Sequence, residues 1–317
     1  MHTVRQKGKM TVNRCHTVLA VLLVAALGSA CAAESSGGSR GSGGPGASGG
    51  VKAAPGGQAK PQSGPAGALT AYVEKVKRAQ AARAVAAKKW GLEKPPLAAP
   101  RPPAVKPEIT TREGFEVEDG ESLPPVFTTV PVKDKVVFLT IDDGWEKDPA
   151  LLRMMSELQI PYSAFLSDYL ISNNYDYFKE MRDRGVSLYN HTLNHLYLPG
   201  LSYAEQEREI CNQQTKLEER YGKRPPLFRP PFGNYNRDTL RVAKSCGVKA
   251  VPLWAAEAFP DHMEWREWDQ DLHPGDIILT HFRGPEEWKG TMPDLIRRVM
   301  KTITDKGYAV AKLEDYV

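Results

Sequence analysis

The sequence predicts an α/β fold, a distorted (β/α) barrel of about seven parallel strands. Three observations predict it. Short continuous apolar runs recur, as in strands buried on both faces. Helical stretches separate them, the alternation that gives parallel sheets with right-handed crossovers. Polar residues follow four of the runs directly, where the C-terminal mouth of such a barrel would collect them.

The elements read in order. Val136 to Ile141 is an unbroken strand run, followed by a helix over Pro149–Leu158. Tyr162 to Leu166 reads as strand, Tyr175 to Arg184 as helix and Val186 to Tyr189 as strand. A long helix spans Tyr203 to Tyr221. Leu227-Phe228 is a short strand and Arg237 to Cys246 a helix. Strands are expected at Lys249 to Leu253 and Asp276 to Leu279. Pro293 to Lys306 has Pro at its start and Gly307 past its end, the favoured helix asymmetry. Ala309 to Ala311 is the last strand.

Upstream of this region the composition changes. Residues 1–106 carry 16 Lys and Arg against 3 Asp and Glu; the remainder carries 26 against 35. The basic excess therefore belongs to the N-terminal third, and the folded part is acidic. An acidic domain does not suit nucleic acid, whose binding rests on cationic contacts to phosphate. Arg5, Lys7, Lys9 and Arg14 precede a short apolar run, Val18 to Leu27, in the manner of an export signal. The run ends in Leu27-Gly28-Ser29-Ala30-Cys31, where small residues before a Cys resemble a bacterial lipobox. Lipidation at Cys31 would anchor the protein at a membrane surface; the alternative is a secretory signal with Cys31 incidental.

Residues 32–107 read as a Gly-, Ser-, Ala- and Pro-rich tether, unable to bury enough apolar surface to offset its ordering entropy. Within it, residues 68–90 have helical spacing and basic charge. They read either as a helix near anionic lipid or, preferably, as a solvated helix in a spacer. Residues 108–317 are expected to form the catalytic domain. Cys211 and Cys246 remain after the signal region, and form either a disulfide or two buried thiols.

The polar residues after the strands carry the chemistry. Asp142-Asp143-Gly144 follows the first run, and adjacent carboxylates repel, so they need partners. His191 and His195 lie four apart, so one helical turn would place both imidazoles on one face around an ion. Arg229-Pro230-Pro231-Phe232-Gly233 and Leu279-Thr280-His281 follow two further strands. No Gly-x-Ser-x-Gly elbow supports a serine mechanism.

In order and spacing these segments resemble the polysaccharide deacetylase (NodB homology) family, carbohydrate esterase family 4, over Lys135 to Val317. Thr140-Ile141-Asp142-Asp143-Gly144 is similar to its first motif and His191-Thr192-Leu193-Asn194-His195 to its second. Arg229 to Gly233 resembles its third, with Phe232 where Tyr is common, and Leu279-Thr280-His281 its last. The resemblance implies that Asp143, His191 and His195 bind one divalent metal, Zn2+ foremost, with Co2+, Mn2+ or Ni2+ as alternatives. It implies Asp142 as general base, Arg229 as the group orienting it, and His281 as general acid. The Phe232 N–H would stabilise the oxyanion, and Leu279 and Trp254 would shape the acetyl and sugar pocket. The fourth motif departs from the family: Trp254-Ala255-Ala256 leads to Glu257 rather than Asp, and no Asp-Trp follows. Asp261, Glu264, Trp265, Trp268 and Asp269 are the nearby candidates to replace it.

The resulting expectation is a hydrolase removing N-acetyl groups from an N-acetylglucosamine-containing polysaccharide, with peptidoglycan first because of the anchor and tether. One alternative is an O-acetyl esterase of the xylan type. Another, of a different class, is a non-catalytic glycan-binding surface lipoprotein.

Overall fold

The structure, a computed structural model, describes residues 65–317. The export signal and Cys31 lie outside the described residues. In chain order the elements are α1 (Pro65–Trp90), β1 (Val126–Phe127), β2 (Val136–Asp143), α2 (Pro149–Leu158), β3 (Ser163–Leu166), α3 (Asp168–Ile171), α4 (Tyr175–Asp183), β4 (Ser187–Asn190) and α5 (Tyr203–Tyr221). There follow α6 (Arg237–Ser245), β5 (Val251–Pro252), β6 (Ala256–Ala258), β7 (Met263–Trp265), β8 (Ile277–His281), α7 (Met292–Asp305) and β9 (Ala309–Val310).

All eight residues of β2 are buried, as its unbroken apolar run requires. It is the centre of a seven-stranded sheet ordered β4-β3-β2-β8-β6-β7, with β9 also paired to β2. Every pairing is parallel except β6 with β7, which form an antiparallel pair. Separately, β1 and β5 pair in parallel. Leu151, Leu152, Met155 and Leu158 of α2 and Ile296, Val299 and Ile303 of α7 belong to one buried apolar cluster with β2 residues Val137, Leu139 and Ile141. Each such side chain contributes about 1.5–3 kcal/mol relative to exposure.

The parallel strands form a distorted arrangement rather than one continuous closed ladder. Between β4 and β5 only single bridges, Asn190 to Phe228 and Leu227 to Ala250, span the gap. Pro225, Pro226, Pro230 and Pro231 flank Leu227-Phe228 and supply no N–H to extend the pairing. Two expectations need correction. First, β1, β6 and β7 were not foreseen. They are two or three residues long, and β6 and β7 each carry a central Glu that interrupts the apolar pattern. Last, the helix of the spacer is not solvated along its whole length. Ala86 and Ala87 are buried in the same cluster as α2. The Trp90 indole donates to Glu157 at 2.7 Å. Beyond it, Lys94 pairs with Asp305, and Lys106 Nζ donates to the carbonyls of Glu314 and Val317. Small alanines permit this close approach without the wide apolar stripe that marks a docked helix in sequence.

Cys211 on α5 and Cys246 at the end of α6 are joined in a disulfide, with Cα atoms 5.0 Å apart. No helix among the described residues is long and apolar enough to cross a membrane.

Candidate active site

The C-terminal end of β2 delivers both carboxylates. Asp142 lies opposite His281 in the β2–β8 register, so both side chains rise from the same face. Asp143 then turns out of the strand with φ 80°, followed by Gly144 at φ 99°. A Cβ on Gly144 would stand 2.4 Å from Ile171, so only glycine allows the chain to turn here.

Asp142 is fixed by Arg229, which is fully buried. The guanidinium donates to Asp142 Oδ1 at 2.7 Å, to Thr140 Oγ1 at 2.9 Å and to the Pro252 carbonyl at 2.7 Å. Its Cζ lies 4.2 Å from the Phe165 ring centroid. A buried cation is tolerable only with this degree of pairing. The Arg229 carbonyl also accepts from His191 Nδ1 at 2.7 Å, which leaves His191 Nε2 as the free lone pair.

That nitrogen faces Asp143. His191 Nε2 is 3.5 Å and His195 Nε2 3.3 Å from Asp143 Oδ1. One donor atom from each of the three residues lies within 4.8 Å of the others. Asp143 Oδ1 is buried and has no hydrogen-bond partner, whereas Oδ2 accepts from Arg283 Nη2 at 2.6 Å. Burial disfavours the Asp143 carboxylate, but the facing imidazoles, His191 foremost, hold its carboxyl well below the ordinary range. Burial, then the charge of His191, pushes His195 down to about 4, so its imidazole is neutral at pH 7. One carboxylate oxygen and two imidazole nitrogens are donors that a zinc-type cation takes, with positions left over for water and substrate. The orphaned oxygen between them makes the fit specific.

The two histidines do not share a helical turn. Residues 191–197 form a loop, with Thr192 at φ 71° and His195 at φ 55°. An i, i+4 spacing suits both a helix and this tight loop, and the strand entering at Asn190 leaves no room for a helix start.

Opposite the trio, His281 Nδ1 is 3.3 Å from Glu257 Oε1. Burial lowers the His281 pKa, but the Glu257 hydrogen bond and the charges of Asp143, Asp142 and Glu257 raise it on balance. Glu257 on β6 thus occupies the place the fourth motif left open. The other candidates lie elsewhere. Asp261 pairs with His262, and Trp265 packs at the edge of the main core. Trp268, 93% exposed, and Asp269 line a separate cavity of about 490 Å³ with Arg112 and His273.

Phe232 has φ 60° and is exposed, its ring 4.7 Å from that of His195. Trp254 packs under the same turn, and a Cβ on Gly233 would come within 2.9 Å of its ring. Leu279 is buried two residues before His281, on the same strand face. Arg283 and Trp288 were not anticipated. Arg283 also pairs with Glu287, and the Trp288 ring meets His281 edge-on at 6.1 Å. A cation two residues beyond the last motif was the available signal for Arg283.

A trio able to hold a cation, with a second carboxylate and an imidazole nearby, is a geometry suited to a hydrolase. Comparison with known proteins is more specific. Residues 129–251 match the family model described as polysaccharide deacetylase. The chain is 41% identical over 203 residues to an uncharacterized protein of Streptomyces coelicolor, covering 64% of this chain and 81% of that protein. It is 26% identical over 193 residues to the peptidoglycan-N-acetylglucosamine deacetylase of Bacillus cereus, covering 56% and 86%. Its fold resembles that of a Bacillus anthracis protein described as a family 4 carbohydrate esterase pseudoenzyme, with TM-score 0.53 at 18% identity, covering 63% and 72%. The chain belongs to the polysaccharide deacetylase family.

Removing Arg229 should leave Asp142 buried and unpaired. Arg229→Met is expected to cost about 3–5 kcal/mol of stability in urea unfolding. A loss under 1 kcal/mol would contradict the pairing.

Proposed function

We propose that the protein removes N-acetyl groups from an N-acetylglucosamine-containing polysaccharide, with peptidoglycan as the polymer. The observation that carries this reading is Asp143 Oδ1, buried and unpartnered between two imidazoles, with Asp142 and His281 on either side. The named Bacillus cereus relative acts on peptidoglycan N-acetylglucosamine, which favours the same polymer here. The basic N-terminus, apolar run and Cys31 favour an exported, lipid-anchored protein at the wall.

Asp143, His191 and His195 would hold one divalent cation, zinc by donor type. The chemistry it supplies when bound is Lewis acidity, polarising a carbonyl and acidifying water. Asp142 acts as general base: Arg229 occupies its Oδ1 and orients the carboxylate, leaving Oδ2 to take the proton of the attacking water. The Phe232 N–H faces the developing oxyanion, which explains why the Tyr hydroxyl common at this place is dispensable. Leu279 receives the acetyl methyl, and Trp254 supports the turn that carries Phe232. His281, whose pKa Glu257 raises, gives its proton to the departing amine. Amide cleavage needs both proton transfers, because an amine is a poor leaving group until protonated.

Purified protein supplied with zinc should release acetate from peptidoglycan and expose one new primary amine per acetate. Acetate without amines would assign O-acetyl esterase activity. Metal and glycan binding without acetate would assign the non-catalytic reading. Asp142→Asn should retain its metal yet lose about 10²–10⁴-fold in kcat; near-normal turnover removes Asp142 from the base role. Because Glu257 raises the His281 pKa, Glu257→Gln lets the imidazolium lose its proton at lower pH. The alkaline limb of kcat/KM should therefore move to lower pH, and an unmoved limb contradicts the acid assignment.

A further inference from the structure

The loop from His191 to His195 has to hold two imidazoles on one point while passing through unfavourable backbone. Thr192 and His195 both have positive φ, and a β-branched residue is rare there. Such a conformation persists only where its surroundings over-determine it. Within the loop, Thr192 N donates to Asn190 Oδ1 at 2.8 Å and His195 N to Thr192 Oγ1 at 3.0 Å. From outside, α5 supplies the rest, and it does so through Glu209.

Glu209 is buried, and no Lys, Arg or His pairs with it among the described residues. Its carboxylate is spent on one residue of the loop. Oε2 accepts from the Asn194 backbone N–H at 2.8 Å and Oε1 from the Asn194 side-chain amide at 2.7 Å. The Glu209 carbonyl accepts from Leu193 N at 3.1 Å. Three donors of the segment between the two histidines thus end on one residue. Around it, α5 is tied to the strand ends. Gln213 donates to the Leu166 carbonyl at 2.8 Å, Gln214 accepts from Asn190 Nδ2 at 3.0 Å, and Cys211 bonds to Cys246. A buried carboxylate without a counter-cation is costly unless hydrogen bonds satisfy it. A buried apolar residue would serve packing better.

We propose that Glu209 is a positioning residue for the cation site: it clamps Asn194 and so sets where His195 points. The proposal rests on the reading of Asp143, His191 and His195 as ligands. A side chain that orients a ligand from behind typically changes metal affinity by 10–100-fold when lost. Glutamine is nearly isosteric but offers one oxygen and one amide, so one Asn194 donor would meet a donor. Changing Asn194 to Asp in that background restores complementarity. The introduced amide oxygen then accepts from the backbone N–H, and its NH2 donates to the introduced carboxylate.

The test is the Kd for Zn2+, measured by chelator competition on the full chain, with far-UV circular dichroism and thermal melting as controls for folding. E209Q should weaken Zn2+ binding about 10–100-fold while keeping its secondary structure. E209Q/N194D should recover most of that loss. An unchanged Kd in E209Q overturns the proposal, and so does a loss that persists in the folded double variant. Wild-type protein that takes up no zinc overturns it together with the ligand reading on which it rests.

Discussion

One buried oxygen governs the polar interior of this domain. Asp143 Oδ1 is shielded from water, accepts no hydrogen bond and looks at two imidazole nitrogens. An unsatisfied acceptor in such a place is expensive, and native interiors seldom retain one without use. The chain has also accepted positive φ at Asp143, Thr192 and His195 to bring these groups together. A cation shared by the three side chains would resolve the cost, giving the buried oxygen a partner between the two imidazoles.

The charges around that point form a graded set, each neutralised in its own way. Arg229 balances Asp142 and, through its carbonyl, sets the His191 tautomer. Arg283 takes the outer oxygen of Asp143 and leaves the inner one free. Glu257, 3.3 Å from His281 Nδ1, raises the His281 pKa. His195 is neutral at pH 7, whereas the pKa of His281 is raised. A neutral ring is suited to hold a cation, and a ring of raised pKa to donate a proton. The fold brings these groups together because β2 and β8 are adjacent and parallel, delivering Asp142 and His281 from neighbouring strand ends.

Much of this was legible in the sequence, for identifiable reasons. Helices α2 and α5 run over the very residues their periodicity indicated, because Asp148 and Ser202 cap them and Gln159 and Gly222 end them in left-handed conformations. The β2 run is recognisable because a strand buried on both faces needs no alternation. Asp142, Asp143, His191, His195, Arg229 and His281 could be found because each lies at the end of an apolar strand run or in the loop just after it. What escaped depended on tertiary pairing. β6 and β7 carry no apolar run; β6 exists through its ladder to β8, and β7 through its antiparallel pairing with β6. Arg283 and Glu209 act on residues 140 and 15 positions away, and no local pattern records such a contact. The docking of α1 relies on alanines, which mark a close approach only once the partner surface is known.

The most direct test of the central claim is X-ray absorption at the zinc edge on the full protein after zinc loading and desalting. The account predicts one zinc per chain with two imidazole nitrogens and at least one carboxylate oxygen in its shell, and the imidazole signal halved in a His195→Ala sample. A wild-type protein without stoichiometric metal, or a shell without imidazole, would contradict it.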